Sequence, residues 1–244
     1  MTAGGLHVVR VPDGARADDV AAVRDLLARD GLTGPWPAVV LVGGAAGMGV
    51  DERERCRELI GGVLVPFAEA HGVCIVDGGT DAGVMAIAGA ARAALAARGP
   101  HVGVAAAGTV VLAGDPPTGA PTDPGGRAGV EPHHTHLVVV PGDHWGDEVP
   151  WLSTVASALG DGRPSVTVLA NGGDIAYADV QASLAAGRPV LVLAGTGRTA
   201  DQLAGGGRTG GEPDGPDPAD PLVEVVEDAA AFEAALRRLL APAG

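Results

Sequence analysis

V-C-I-V-D-G-G-T-D-A-G-V-M, running from Val73 to Met85, is the stretch whose reading decides the fold. A β-branched apolar run stops at Asp77-Gly78-Gly79-Thr80-Asp81, and an Ala-rich helical pattern follows from Ala82 to Arg98. The grammar is strand, glycine turn, helix. Glycines let the backbone turn sharply and approach a ligand, and the free N–H groups and positive dipole end of the following helix face the same spot, so the stretch is an anion-cradle candidate. The chain repeats this arrangement at almost every strand end.

The chain has 244 residues, the size of one ordinary α/β domain. Hydrophobic residues make up 46% and aromatics 2%, so the core must be built from small and branched aliphatics. A formal net charge of −14 opposes a general nucleic-acid or anionic-membrane surface, because phosphate backbones demand basic patches. All 16 basic residues are arginine, which excludes a P-loop lysine, a Schiff-base lysine and a Ser-Lys catalytic pair. Cys56 and Cys74 have no CxxC spacing, so neither a zinc site nor a disulfide framework is expected. Met1 to Arg10 lacks a basic region followed by a long apolar core, and no run approaches the ~18 apolar residues of a membrane span, so a cytoplasmic location is expected.

Working outward, Leu6 to Val11 reads as a short strand, and Asp18 or Asp19 caps a helix through Arg29. Ala38 to Val42 is a continuous apolar run, suited to a strand buried on both faces of a parallel sheet. Asp51 opens a helix to about His71. Further strands are expected at Val102 to Ala106, His136 to Val140, Ser165 to Ala170, Pro189 to Ala194 and Leu222 to Val226. Helices are expected up to Leu159, from Ile175 to Ala185 and from Ala230 to Leu240. Residues 113–132 form a long Pro- and Gly-rich excursion, and such loops tend to be functional or disordered. The β-α alternation predicts a single-domain α/β fold with a three-layer, doubly wound, mainly parallel sheet. Its expected parts are residues 1–204, a flexible Gly/Pro/Asp loop at 205–221, and a strand and helix at 222–244 that pack back onto the sheet.

Ligands of such sheets bind outside the carboxyl ends of the strands. The turns expected on that rim carry Gly43, Gly44 and Gly47; Asp77, Gly78, Gly79 and Thr80; Gly108 and Thr109; Gly142 and Asp143; Asn171, Gly172 and Gly173; and Gly195, Thr196, Gly197 and Arg198. Turns without bulky side chains leave a crevice of N–H donors, suited to phosphate. Arg198 is the best-placed cation for a phosphate, or else it pairs with Asp201 or Asp174. Asp77 either accepts from ribose hydroxyls or bonds its own turn, and Thr80 and Asp81 equally suit a helix cap. Trp145 would stack on a base, shield the crevice or simply pack. His133, His134 and His136 sit at a strand's beginning with no carboxylate-histidine pattern, so no metal site is expected. No G-x-S-x-G is present, and Glu131 and Glu148 flank the His136 strand with nothing to set them across a substrate.

These blocks resemble the SLOG superfamily. The resemblance rests on G-G-A-A-G-M, D-G-G-T-D-A-G-V-M, H-T-H-L-V-V-V, the long helix after G-D-E-V, N-G-G-D and P-V-L-V-L-A-G-T-G-R-T-A-D, and covers about Ala38 to Leu203. It is strongest to the nucleotide-sensing domain at the N-terminus of TRPM channels and its stand-alone prokaryotic relatives. It implies a Rossmann-like fold that binds ADP-ribose, NAD or a related ligand, requires no further cofactor, and self-associates. The same superfamily includes LOG-type phosphoribohydrolases with a P-G-G-x-G-T-x-x-E motif. Residues 170–178 here read A-N-G-G-D-I-A-Y-A, without the threonine and glutamate, leaving Asp174 or Asp179 as substitutes.

The first reading is therefore a soluble sensor of a nucleotide-derived ligand. The second is a nucleotide hydrolase with Asp81, Asp143, His144 or Asp174 as acid-base groups, a reading that the missing motif disfavours. The third is an oligomeric scaffold with a vestigial site.

Overall fold

The computed structural model describes residues 5–44, 47–112, 126–206 and 216–240. Most of the long excursion (113–125) and most of the Gly/Pro/Asp loop (207–215) lie outside the described residues. Ten strands are described: β1 (His7–Arg10), β2 (Ala38–Gly43), β3 (Cys74–Asp77), β4 (His101–Ala106), β5 (Val110–Val111), β6 (Ala128–Gly129), β7 (His136–Val140), β8 (Ser165–Ala170), β9 (Val190–Leu193) and β10 (Val223–Val226). Eight of them form one sheet, ordered β1-β7-β4-β3-β2-β8-β9-β10, and every pairing in it is parallel.

Parallel strands buried on both faces must be apolar throughout, and alternate residues must serve opposite cores. In β2, Ala38, Val40 and Val42 belong to one core cluster, while Val39 and Leu41 belong to the other. The first cluster packs under α1 (Val20–Arg29), α5 (Val149–Gly160), α6 (Asp174–Ala185) and α7 (Arg198–Ala204). The second packs under α2 (Val50–Cys56), α3 (Val65–His71), α4 (Gly83–Leu95) and α8 (Ala229–Leu240). The result is the expected three-layer, doubly wound α/β domain.

Three local features depart from the sequence reading. The expected helix from Asp51 to His71 is continuous, but its middle, Arg57–Leu64, is π-helical. Pro66 stands in the first turn of α3, directly after the π-helical stretch. β5, just before the excursion, pairs in parallel with β6 inside it, and Thr80 bridges Val130. Val110 and the neighbouring Val130 and Leu112 pack on β4 and β7 in a small cluster of their own.

Candidate functional site

Chain order reverses between β2 and β8: β3, β4 and β7 follow on one side, β9 and β10 on the other. Crossovers therefore leave that point in opposite directions, and a crevice opens above it. The crevice holds about 270 Å³. Gly44 lets the β2 and β8 ends press together, since a Cβ there would lie 2.3 Å from Oδ1 of Asn171. Of the residues expected at the site, Gly43, Gly44, Gly78, Thr80, Thr109, Gly173, Asp174 and Arg198 line it. The Arg198 guanidinium lies over Gly173 and Gly47, with Nη2 2.9 Å and Nη1 3.7 Å from where their Cβ atoms would be. Arg198 and Asn171 both hold positive φ, 50° and 59°, a costly conformation for residues with a Cβ, and so the rim stores strain.

Other expected donors are turned inward. Asp201 accepts from the N–H groups of Gly195 (2.6 Å) and Gly197 (3.1 Å). Asp147 accepts from Asp143 (2.9 Å) and His144 (3.0 Å), and Glu52 from Gly49 (2.7 Å). These carboxylates take the place expected for a ligand's phosphate. Asn171 and Thr196 are fully buried and bond one another through Asn171 N–H to Thr196 Oγ1 (2.8 Å) and Asn171 Nδ2 to Thr196 O (2.7 Å), with Gly172 packed against Thr199 and Ala176. Gly108 packs on the Asp143 backbone, and Gly142 on the Asp147 side chain. Neither Asp81, Asp143 nor His144 reaches the crevice; all three are exposed, His144 with 85% of its side chain open.

The sequence reading named Glu148 and Asp179 separately but did not pair them. Glu148, just before α5, and Asp179 on α6 line the crevice with Trp145. Burial, then the charge of Glu148, pushes the Asp179 carboxyl up to about 8, and burial also raises Glu148. Glu148 Oε2 accepts from Gly146 N–H (2.9 Å), and Trp145 Nε1 donates to Gly126 O (3.2 Å). A signal for Asp179 was present: it falls on the stripe Ala176, Val180, Ser183 that α6 buries. Two buried polar atoms on the crevice wall, Thr80 Oγ1 and Asp179 Oδ1, have no hydrogen-bond partner among the described residues.

Asp77 has a different place from the ribose contact considered for it. It is fully buried behind the glycine turn, with Oδ1 accepting from its own Gly79 N–H (2.8 Å), as a turn residue does. Its oxygens also lie 2.7 Å from His134 Nε2 and 2.7 Å from His101 Nε2. His134 Nδ1 contacts Glu131 Oε2 (2.9 Å), and His133 Nδ1 contacts Glu131 Oε1 (2.6 Å). The histidine tract thus does have carboxylate partners, Glu131 beside it in the sequence and Asp77 far from it, whereas His136 stacks on His7 at the sheet edge. Burial alone would lower His134, but Asp77 and Glu131 outweigh it and raise the imidazole to about 10. Burial and the neighbouring His134 charge lower His101 to about 4. Asp77 stays ionised despite burial because both imidazoles favour its charge.

Asp77, His101 and His134 are also the group, among the described residues, whose ligand atoms cluster closely enough for a metal ion. The imidazoles stack with centroids 3.8 Å apart, and both Nε2 atoms face the one Asp77 carboxylate. Each Nε2 sits at hydrogen-bond distance from a carboxylate oxygen, an arrangement that suits shared protons.

Fold and crevice together define a Rossmann-like α/β domain with its cleft at the switch point. The chain belongs to the family described as SLOG in TRPM, prokaryote, whose model matches residues 36–235. Three solved structures share the fold. The structural genomics target TM1055 is 20% identical with a TM-score of 0.52, covering 82% of this chain and 96% of that one. The molybdenum cofactor carrier protein of Chlamydomonas reinhardtii is 19% identical with a TM-score of 0.53, covering 84% and 99%. The molybdenum cofactor binding protein of Rippkaea orientalis is 13% identical with a TM-score of 0.53, covering 83% and 96%. No curated protein matches the chain. Among the described residues no helix is long and apolar enough to cross a membrane.

Proposed function

We propose that the crevice binds a nucleotide-derived ligand of the ADP-ribose or NAD type, and that the protein acts as a sensor of it. The observation that carries this reading is the pair of buried, unpartnered polar atoms, Thr80 Oγ1 and Asp179 Oδ1, on the wall of a switch-point cleft. Such atoms cost about 1–3 kcal/mol each, and a ligand that bonds them recovers that cost. The phosphate would sit between Arg198, Gly44 and the N-terminus of α6, whose first N–H groups and dipole favour an anion. A crevice of about 270 Å³ is at the small end of ligand sites, near the scale of a mononucleotide portion.

The test is thermal unfolding with ADP-ribose, NAD and AMP, with molybdenum cofactor added to the panel because the solved neighbours carry that name. A ligand at a hundred times its Kd adds about 2.7 kcal/mol, which raises Tm by roughly 5–10 °C in a domain of this size. Arg198→Ala should lose most of the shift for phosphorylated ligands. Unchanged shifts in that variant, or no shift with any nucleotide, count against the reading.

A second reading rests on the same carboxyl pair. Glu148 and Asp179, two carboxyls both raised by burial and close enough to interact, are the kind of groups an N-glycosidic hydrolase uses as acid and base. Chromatography of an AMP incubation separates the two: intact AMP supports sensing, and free adenine with ribose 5-phosphate supports hydrolysis. Self-association belongs to this proposal as well and is read by light scattering.

A further inference from the structure

Glu148 and Asp179 share the α5–α6 wall of the crevice, close enough for the charge of one to act on the other. Asp174 opens α6 at the rim, and Asp179 stands five residues further along, about 7.5 Å down the helix axis. The phosphate end and the carboxyl end of the crevice are therefore separated by roughly the span between a 5′-phosphate and its sugar and base. Trp145 lines the same cavity as the carboxyls, its indole pinned by the bond to Gly126 O, and gives that end an aromatic surface.

Other charged groups near Asp179 are committed elsewhere or stand at the rim. Ahead of α5, Asp147 bonds its own loop, and Arg188, ahead of β9, spends its guanidinium on Ser153, Ser157 and Ser165. Arg198 on α7 and Asp174 lie at the mouth. Glu148 is the charge that bears on Asp179, and two carboxyls enclosed together favour holding one proton between them. Asp179 Oδ1 is left buried and without a partner.

We propose that Asp179 meets the ligand as an uncharged carboxylic acid, donating its O–H to a ring nitrogen and accepting from the adjacent exocyclic amine. The crevice would thereby select an aminated nitrogen heterocycle with the edge that adenine and cytosine carry. An ionised carboxylate offers two acceptors and fits an edge of two donors, as in guanine; the protonated acid offers one donor beside one acceptor and fits the other kind. This rests on the nucleotide reading above and specifies which part of the nucleotide enters first.

The test is calorimetric titration of AMP between pH 7 and 9.5, a range above the second phosphate ionisation near 6. Asp179 titrating near 8 predicts an affinity about tenfold weaker at pH 9 than at pH 7. Asp179→Asn keeps a donor beside an acceptor at every pH, so its AMP affinity should be close to that of the unmodified protein at pH 7 and flat with pH. Purine riboside 5′-monophosphate, which lacks the amine, should bind roughly three- to tenfold more weakly than AMP. The unmodified protein alone can overturn the inference: affinity flat or rising with pH, or GMP bound more tightly than AMP at pH 7, would do so and leave the nucleotide reading standing. No binding by any nucleotide would overturn both.

Discussion

Asp77 shows what one residue's neighbours do to its role. From the sequence it is an acid after a strand, facing the rim; in the structure two imidazoles take it out of the site and fix the glycine turn from behind. No sequence pattern announces this, because His101 and His134 are 24 and 57 residues away. The pH dependence of stability follows from these groups and Asp179. His101, lowered to about 4, binds its proton more readily when unfolded, so between pH 4 and 6.5 it makes stability rise with pH. Asp179, raised to about 8, holds its proton better when folded, so between pH 4 and 8 it makes stability fall with pH. His134, raised to about 10, contributes stability fully present below 6.5 and lost as pH climbs toward 10. Counting these three groups, urea midpoints should be nearly level from pH 4 to 6.5, drop steeply to pH 8 and more gently above it. Asp179→Asn should turn the level region into a rise and shallow the drop; a variant curve that overlays the original refutes the assignment. Cys56 and Cys74, pushed to about 12 by burial, should resist thiol reagents until the protein unfolds, and labelling under native conditions would contradict their burial.

At the scale of elements, legibility followed pattern length. The long sheet strands were readable because apolar runs with glycine ends have no other economical home. The β5–β6 ribbon was not, since two-residue strands carry no period, and the π-helical stretch was hidden inside an unbroken helical pattern. The α4 helix illustrates a constraint of packing. Glu131 lies against Gly89 so closely that a Cβ there would stand 2.0 Å from its carboxylate. Gly89→Ala should cost roughly 1–3 kcal/mol despite alanine's better helix propensity, whereas Gly62→Ala, with open space around it, should be neutral or stabilising by up to about 1 kcal/mol. Denaturant midpoints of the two variants test this, and equal midpoints would argue against the contact.

For the whole molecule, the doubly wound sheet and the position of its cleft were legible because alternation dictates topology and topology dictates the rim. Which rim residues face the cleft was not, because each loop's own side chains decide where its donors point. The last strand and helix are structurally integral: β10 pairs with β9, and Phe232 of α8 is fully buried. Phe232→Ala should cost about 3–5 kcal/mol, lowering a single cooperative unfolding transition without splitting it. A separate early transition would mean that this end melts independently. The inward-turned carboxylates of Glu52, Asp147 and Asp201 carry a kinetic consequence. They hold these rim segments in shape through the protein's own hydrogen bonds, so binding need not wait for a loop to fold. Ligand capture should then follow one exponential whose rate rises linearly with ligand concentration, and the lifetime of the complex, set by departure alone, will decide how quickly the protein registers a falling ligand level.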